Sequence, residues 1–193
     1  FEPCEEVSNV RMHALDFEEF LWANNISSFV LDQVHQAYVS NEQLSLDVHD
    51  QMLELFKTYL KVGGMPKAVS TYLSSQDMSE VRNVQKAIEE GYKSKMLMHV
   101  LPKERERFLN LHASIPKQIA KGNMRFMYKD MDEKATHRNY FKNIRYIYRM
   151  GWAFVVYKLK STNFPLIENT LSESFLFLIR DVGCVSGRLS LAS

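Results

Sequence analysis

Four cations in one short run are the residues best spaced to do chemistry. Arg138, Lys142, Arg145 and Arg149 follow one another at intervals of 4, 3 and 4 residues. At about 100° per residue this sets all four in a narrow stripe along a helix. Phe141, Ile144, Ile147 and Tyr148 are expected on the far side, giving an amphipathic helix with a cationic outer face. Placed second in a helix-turn-helix, such a face lies along a duplex groove or its phosphates. Lys117, Lys121, Arg125, Lys129 and Lys158 extend the footprint, the last from a wing, and Asn139 and Asn143 flank the stripe where bases are read. The same stripe also suits a protein-docking face or a merely solvated helix.

The charge balance sharpens the point. The 193 residues carry a formal net charge of +1, an ordinary value for a globular chain. Residues 101–160, however, hold 14 Lys or Arg against 5 Asp or Glu, a local balance of +9, which leaves −8 for the rest. One basic block in a nearly neutral protein points towards nucleic acid.

Other chemistry is missing from the sequence. No G-x-x-x-x-G-K-[ST] is present to cradle phosphates. Neither the six histidines (13, 35, 49, 99, 112 and 137) nor Cys4 and Cys184 show metal-ligand spacing. The run from Gly183 to Gly187 lacks the G-x-S-x-G form of a nucleophile turn. Glu18 and Glu19 are adjacent, as are Glu89 and Glu90, so on helices they diverge instead of forming a carboxylate pair. No catalytic residue, metal site or cofactor is therefore assigned within this chain. The two cysteines read as reduced thiols of a cytoplasmic protein. No apolar run reaches membrane-spanning length, and the acidic start FEPCEEVSNV has no signal-peptide core. Without an initiator methionine, the chain is expected to be a piece of a longer protein.

The elements that must position these residues are mostly helical. Residues 7–14 suit a short strand, and Asp16 caps a helix with Phe17, Phe20 and Leu21 on one face. Helices are expected over 26–38, with Phe29, Val30, Val34 and Ala37 inward, and over 46–62, 67–73 and 79–100. Pro102 opens another helix, Pro116 begins a short one that Gly122 closes, residues 125–128 are extended, and residues 132–150 form the basic helix. Residues 152–159 and 174–179 are β-rich and flank a loop at 161–165. Helix, helix, strand, loop, strand is the order of a winged helix-turn-helix.

Between 46–62 and 67–73 the chain reads VGGMP. Gly63 or Gly64 can adopt the left-handed conformation that closes a helix, and Pro66 suits the first turn of the next. The stretch YLKVGGMPKAV, LDFEEFLWA at 15–23 and, more loosely, residues 178–185 together resemble a family of prokaryotic AAA-type, P-loop ATP-binding proteins. The resemblance covers nearly the whole chain. It implies an N-terminal nucleotide-binding core, then a helical lid, a winged helix and often a nuclease-like domain. On this resemblance residues 1–14 are a remnant of an ATPase-core strand, 15–101 a lid-like helical domain and 102–193 the winged-helix domain. GGMP also resembles the Gly-x-Pro turn that related signalling ATPases place against adenine, which implies nucleotide contact at Gly64, Met65 and Pro66. ATP is implied for the parent protein. Where relatives continue Leu-Leu-Asp-Val-Gly into an apolar helix, this chain has Arg180-Asp181-Val182-Gly183 followed by Cys-Val-Ser-Gly-Arg, so the last dozen residues are expected to fray.

The expectation is a mainly α protein: a helical bundle followed by a winged helix-turn-helix with a small β-hairpin. Its expected role is to couple the nucleotide state of an AAA-type protein to double-stranded DNA. The alternative is a protein-interaction or oligomerisation module that docks on the missing ATPase core or forms a homo-oligomer.

Overall fold

The computed structural model describes residues 12–123 and 125–189, and the fold is mainly α with one small antiparallel hairpin. Helix α1 (Phe17–Ala23) starts at a reciprocal cap. Asp16 accepts the Glu19 amide at 2.9 Å, and the Glu19 carboxylate accepts the Asp16 amide at 2.9 Å. Residues 12–16 carry no strand, and the rest of the strand expected at 7–14 lies outside the described residues. Helix α2 (Ser28–Ser40) buries none of its side chains. Phe29 is exposed, while Val30, Val34 and Ala37 are only half-buried. Helices α3 (Leu46–Val62) and α4 (Pro66–Ser75) flank the glycine elbow, with Pro66 at the first helical position as expected.

Phe20, Val62, Ala68, Val69 and Val81 make a first core, ringed by Phe17, Tyr59, Met65 and Tyr72. Helix α5 (Met78–His99) joins it to a second. At 1.5 Å per residue, its 22 residues run about 33 Å. Val81 near its start belongs to the first core, and Met96 near its end to the second, with Phe108, Leu111, Ile115, Phe126, Ile144, Ile147, Trp152, Phe175 and Phe177. The chain does turn near the expected 101–102 boundary, at Val100 and the 3-10 turn Pro102–Glu104. Both halves nevertheless share α5.

Helix α6 (Arg105–Ala120) corrects one expectation: Pro116 lies inside it and does not begin a new helix. A proline inside a helix costs about 3 kcal/mol. Here Leu111, Ile115 and the proline ring are all buried, and that packing outweighs the lost backbone bond. After Gly122, Phe126 donates its amide to the Phe175 carbonyl at 2.7 Å and lays the extended residues against the hairpin. Helix α7 (His137–Arg149) leads into β1 (Ala153–Leu159), which pairs antiparallel with β2 (Thr170–Ile179). The register shifts between Tyr157 and Lys158, so residues 172–174 bulge from β2. The chain ends its described part in α8 (Val182–Leu189), a helix where fraying was expected, and α8 packs on α3, α5 and α6.

The return of α8 closes a junction around the elbow. The buried carboxylate of Asp181 accepts the Gly64 amide at 2.6 Å and, from its other oxygen, the Cys184 amide at 3.0 Å. It thereby holds the elbow and caps α8 at once. The Gly64 carbonyl accepts the Leu15 amide at 2.7 Å, and the Tyr59 hydroxyl donates to the Leu15 carbonyl at 2.9 Å. Buried Gln85 donates to the carbonyls of Lys61 and Val62 at 2.9 and 2.8 Å, satisfying the end of α3. Gly63 adopts φ +76° and ψ −173°, a positive φ with extended ψ and not the left-handed helical form expected.

The junction predicts a sharp contrast between two glycines. A Cβ at Gly64 would land on the Leu15 carbonyl oxygen, whereas one at Gly91 in α5 meets nothing within 4 Å. Urea denaturation should show Gly64→Ala losing at least about 3 kcal/mol, with Gly91→Ala gaining about 0.5–1 kcal/mol. Equal effects at the two positions would rule out a crowded elbow.

Candidate nucleic-acid interface

Helix α7 starts later than its sequence suggests. Residues 132–135 form a turn closed by the Ala135 amide on the Asp132 carbonyl at 2.9 Å and by the Lys134 amide on the Asp132 carboxylate at 2.9 Å. Thr136 then caps the helix, its hydroxyl accepting the Asn139 amide at 3.4 Å. Asp and Thr both prefer such local bonds to helix interior positions, which moves the start from 132 to 137. The short helix expected ahead of it at 116–122 is the last part of α6, and a 3-10 turn at Tyr128–Asp130 lies between α6 and α7.

Tyr140, Asn143, Ile144 and Ile147 form the buried face of α7. Arg138, Lys142, Arg145 and Arg149 all lie exposed on the opposite side. None of the four makes an ion pair among the described residues. Asn143 departs from expectation: it is buried, with its amide 3.5 Å from a Glu104 carboxylate oxygen, so it cannot reach a base. Asn139 stays exposed beside the stripe.

Two rings also depart from expectation. Phe141 and Tyr148 are 46% and 55% exposed, too open for the buried face. They flank the stripe and, with Ile144, Arg145, Arg149, Val155 and Tyr157, line an open groove of about 480 Å³ between α7 and β1. The structure thus brings Arg145 and Arg149 together with three aromatic rings. It does not bring every other candidate cation to them. Lys117 projects from α6, and Lys121 is paired with Asp130 at 2.8 Å. Arg125 and Lys129 are exposed between α6 and α7. Lys158 follows Tyr157 on β1, so strand alternation turns it to the other face of the hairpin.

The remaining polar groups around α7 are structural. The Tyr128 hydroxyl lies 2.8 Å from His137 Nδ1, and burial, reinforced by the charge of Glu173, pushes its pKa well above the usual tyrosine value. Burial likewise raises Tyr140, with Asp132 adding to the effect. Both hydroxyls therefore stay neutral across the physiological range. His112 is buried with its ring stacked on Trp152 at 4.2 Å, a core role. No group of three or more His, Cys, Asp or Glu among the described residues is placed to hold a metal ion. Cys184 is buried, and Cys4 lies outside the described residues.

The second candidate site, Gly64, Met65 and Pro66, sits in the junction. Gly64 is buried with its amide and carbonyl both engaged within the chain, Met65 packs on the first core, and Pro66 is exposed. Ser186, in the run that superficially looks like a nucleophile turn, is helical and receives a hydrogen bond from Arg82 at 3.1 Å.

Residues 53–193 match a family described as a domain of unknown function, DUF8612. The chain belongs to this family. The DUF8612 match takes in the elbow, the shared helix α5, the basic helix and the returning helix α8, so it includes both sides of the Asp181 junction. No curated protein and no solved structure matches the chain.

Sequence reasoning missed the groove and the junction. A helical wheel places Phe141 about 70° and Tyr148 about 90° from the centre of the stripe, between it and the buried face, which was the available signal. Nothing local marked the tie from Asp181 to the elbow, because Gly64 lies 117 residues away. On stability, Tyr148→Ala and Arg145→Ala should each stay within about 0.5 kcal/mol of the parent in urea denaturation. Ile147→Ala, fully buried on the opposite face, should cost about 2–5 kcal/mol. A large loss at Tyr148 would place that ring in the core.

Proposed function

We propose that the C-terminal half of this chain binds nucleic acid through α7, with the hairpin beside it. One observation carries the reading: four cations, with no ion-pair partner among the described residues, stand exposed on one face of a helix whose other face is locked into the second core. A rigidly held row of this kind neutralises phosphates and releases their counterions, which is the usual source of nucleic-acid affinity. Double-stranded DNA is the reference ligand, met by Arg138, Lys142, Arg145 and Arg149. Lys117, Lys121 and Lys158 are peripheral, since they lie on other elements or are already paired.

In the parent protein the chain serves as the non-catalytic helical and winged-helix portion of an AAA-type ATP-binding protein. Three stretches support this. Leu15 of LDFEEFLWA, the GGMP elbow and Asp181 to Gly183 carry the resemblance, and they meet in one junction. Such a junction supplies a mechanical path from a nucleotide-sensing region to α7. It transmits a signal only if ATP binds one of its arrangements better than another. With the Gly64 backbone already engaged, nucleotide is held by the ATPase core of the parent, and the elbow passes its state on.

A second reading rests on α2. Phe29 is 69% exposed and, on the opposite side of the helix, Tyr38 is 84%, with Val39 and Leu46 also exposed, apolar surface that suits protein docking. No helix among the described residues is long and apolar enough to cross a membrane.

Fluorescence anisotropy with a labelled mixed-sequence duplex tests the first reading. Four phosphate contacts predict a slope of about −3.6 in log K against log salt. Arg138→Glu with Arg145→Glu should abolish binding at about 0.1 M salt. Undiminished binding by that double variant, or a slope near zero, would move the function away from α7.

A further inference from the structure

We propose that the groove between α7 and β1 receives an unstacked base of a single-stranded nucleic acid, with Arg145 and Arg149 at its rim to meet the adjoining phosphates. The inference rests on the nucleic-acid reading of α7 and names the form of ligand this part of the surface takes. Phosphates alone do not account for the groove. Phe141, Tyr148 and Tyr157 line it and are 46%, 55% and 41% exposed. Rings of this size are ordinarily buried, or stacked on a partner when they stand at a surface. Ile144 and Val155 add apolar lining, and no carboxylate is among the lining residues described. The site is therefore apolar and aromatic within and cationic at its edge, the combination that binds a flat, uncharged base attached to an anionic backbone.

Its size fits the same ligand. About 480 Å³ lies within the range of pockets that enclose small organic groups, about 300–1,000 Å³. A paired duplex offers phosphates and base edges, while its base faces stay stacked inside. Only a base that has left its stack can lie against these rings. Arg145 and Arg149 are one helical turn apart, about 6 Å along the axis, so both sit at the mouth of the same groove. Arg138, about two turns before Arg145, lies outside the lining set. The stripe and the groove thus divide the work. The stripe supplies attraction to any phosphate backbone, and the groove selects strands whose bases are free.

The test uses the whole chain, a labelled 15-nucleotide mixed-sequence single strand, and a duplex of the same sequence, all at one salt concentration. The single strand should bind at least about fivefold more tightly than the duplex. Phe141→Ala and Tyr148→Ala should each weaken single-strand binding about tenfold while changing duplex binding less than about twofold. Tyr148→Phe, which keeps the ring, should bind like the parent. A central 2-aminopurine should be quenched on binding by the parent and not by Tyr148→Ala, with circular dichroism verifying that each variant is folded. If the ring variants match the parent on both probes while Arg138→Glu with Arg145→Glu still abolishes duplex binding, the base-binding groove is overturned and the nucleic-acid reading stands. If neither probe binds the parent, both fall.

Discussion

A single buried carboxylate holds this chain together at its centre. Asp181 accepts the amide of Gly64 and the amide of Cys184, and so ties an elbow in the first half to the first turn of the returning helix α8. Buried carboxylates are tolerated when hydrogen bonds replace lost water, and here two backbone donors do so. The approach is possible because three of the residues around it lack a side chain. A Cβ at Gly63 would stand 2.5 Å from an Asp181 oxygen, and those at Gly64 and Gly183 would strike the Leu15 and Val62 carbonyls. Gln85 completes the arrangement by taking the carbonyls that end α3. Disturb this point and α1, α3, α5 and α8 lose their common anchor.

The basic helix depends on that anchor through α5. Met96 delivers the far end of α5 to the second core, where Ile144 and Ile147 fix α7 and Phe126 fixes the hairpin. Rigid seating matters for a cationic surface. Four cations on a fraying helix would lose side-chain and backbone entropy on contact, whereas cations on a packed helix are already spaced. The same seating leaves the groove between α7 and β1, lined by Ile144 from the helix and by Val155 and Tyr157 from the strand.

Much of this was legible in the sequence where the deciding interactions are local. The helix over 46–62 follows from its amphipathic period and its glycine stop, and the start of α1 follows from Asp16 and Glu19. The cationic stripe needed only the helical period. Legibility fails where distant parts decide. Pro116 reads as a helix start, yet burial carries α6 through it. The start of α7 moved because the Asp132 and Thr136 side chains hold the backbone in a turn and a cap. Residues 182–189 read as a frayed tail because their helix is secured by Asp181 against the elbow and by packing on α3 and α5. For the same reason GGMP reads locally only as an elbow between helices, with no sign that both polar groups of Gly64 are engaged inside the chain.

The resemblance and the geometry bear on different parts of the chain. The motif-bearing residues converge on the junction, and the chemistry-bearing residues converge on α7. What joins them is α5, which reaches from the first core to the second. The most direct measurement is an amide NMR titration of the isotopically labelled chain with a short mixed-sequence oligonucleotide. Binding through the basic face requires the largest shift changes at residues 137–149 and 153–158, with α2 unmoved. Changes confined to α2, or spread evenly over the chain, would contradict it.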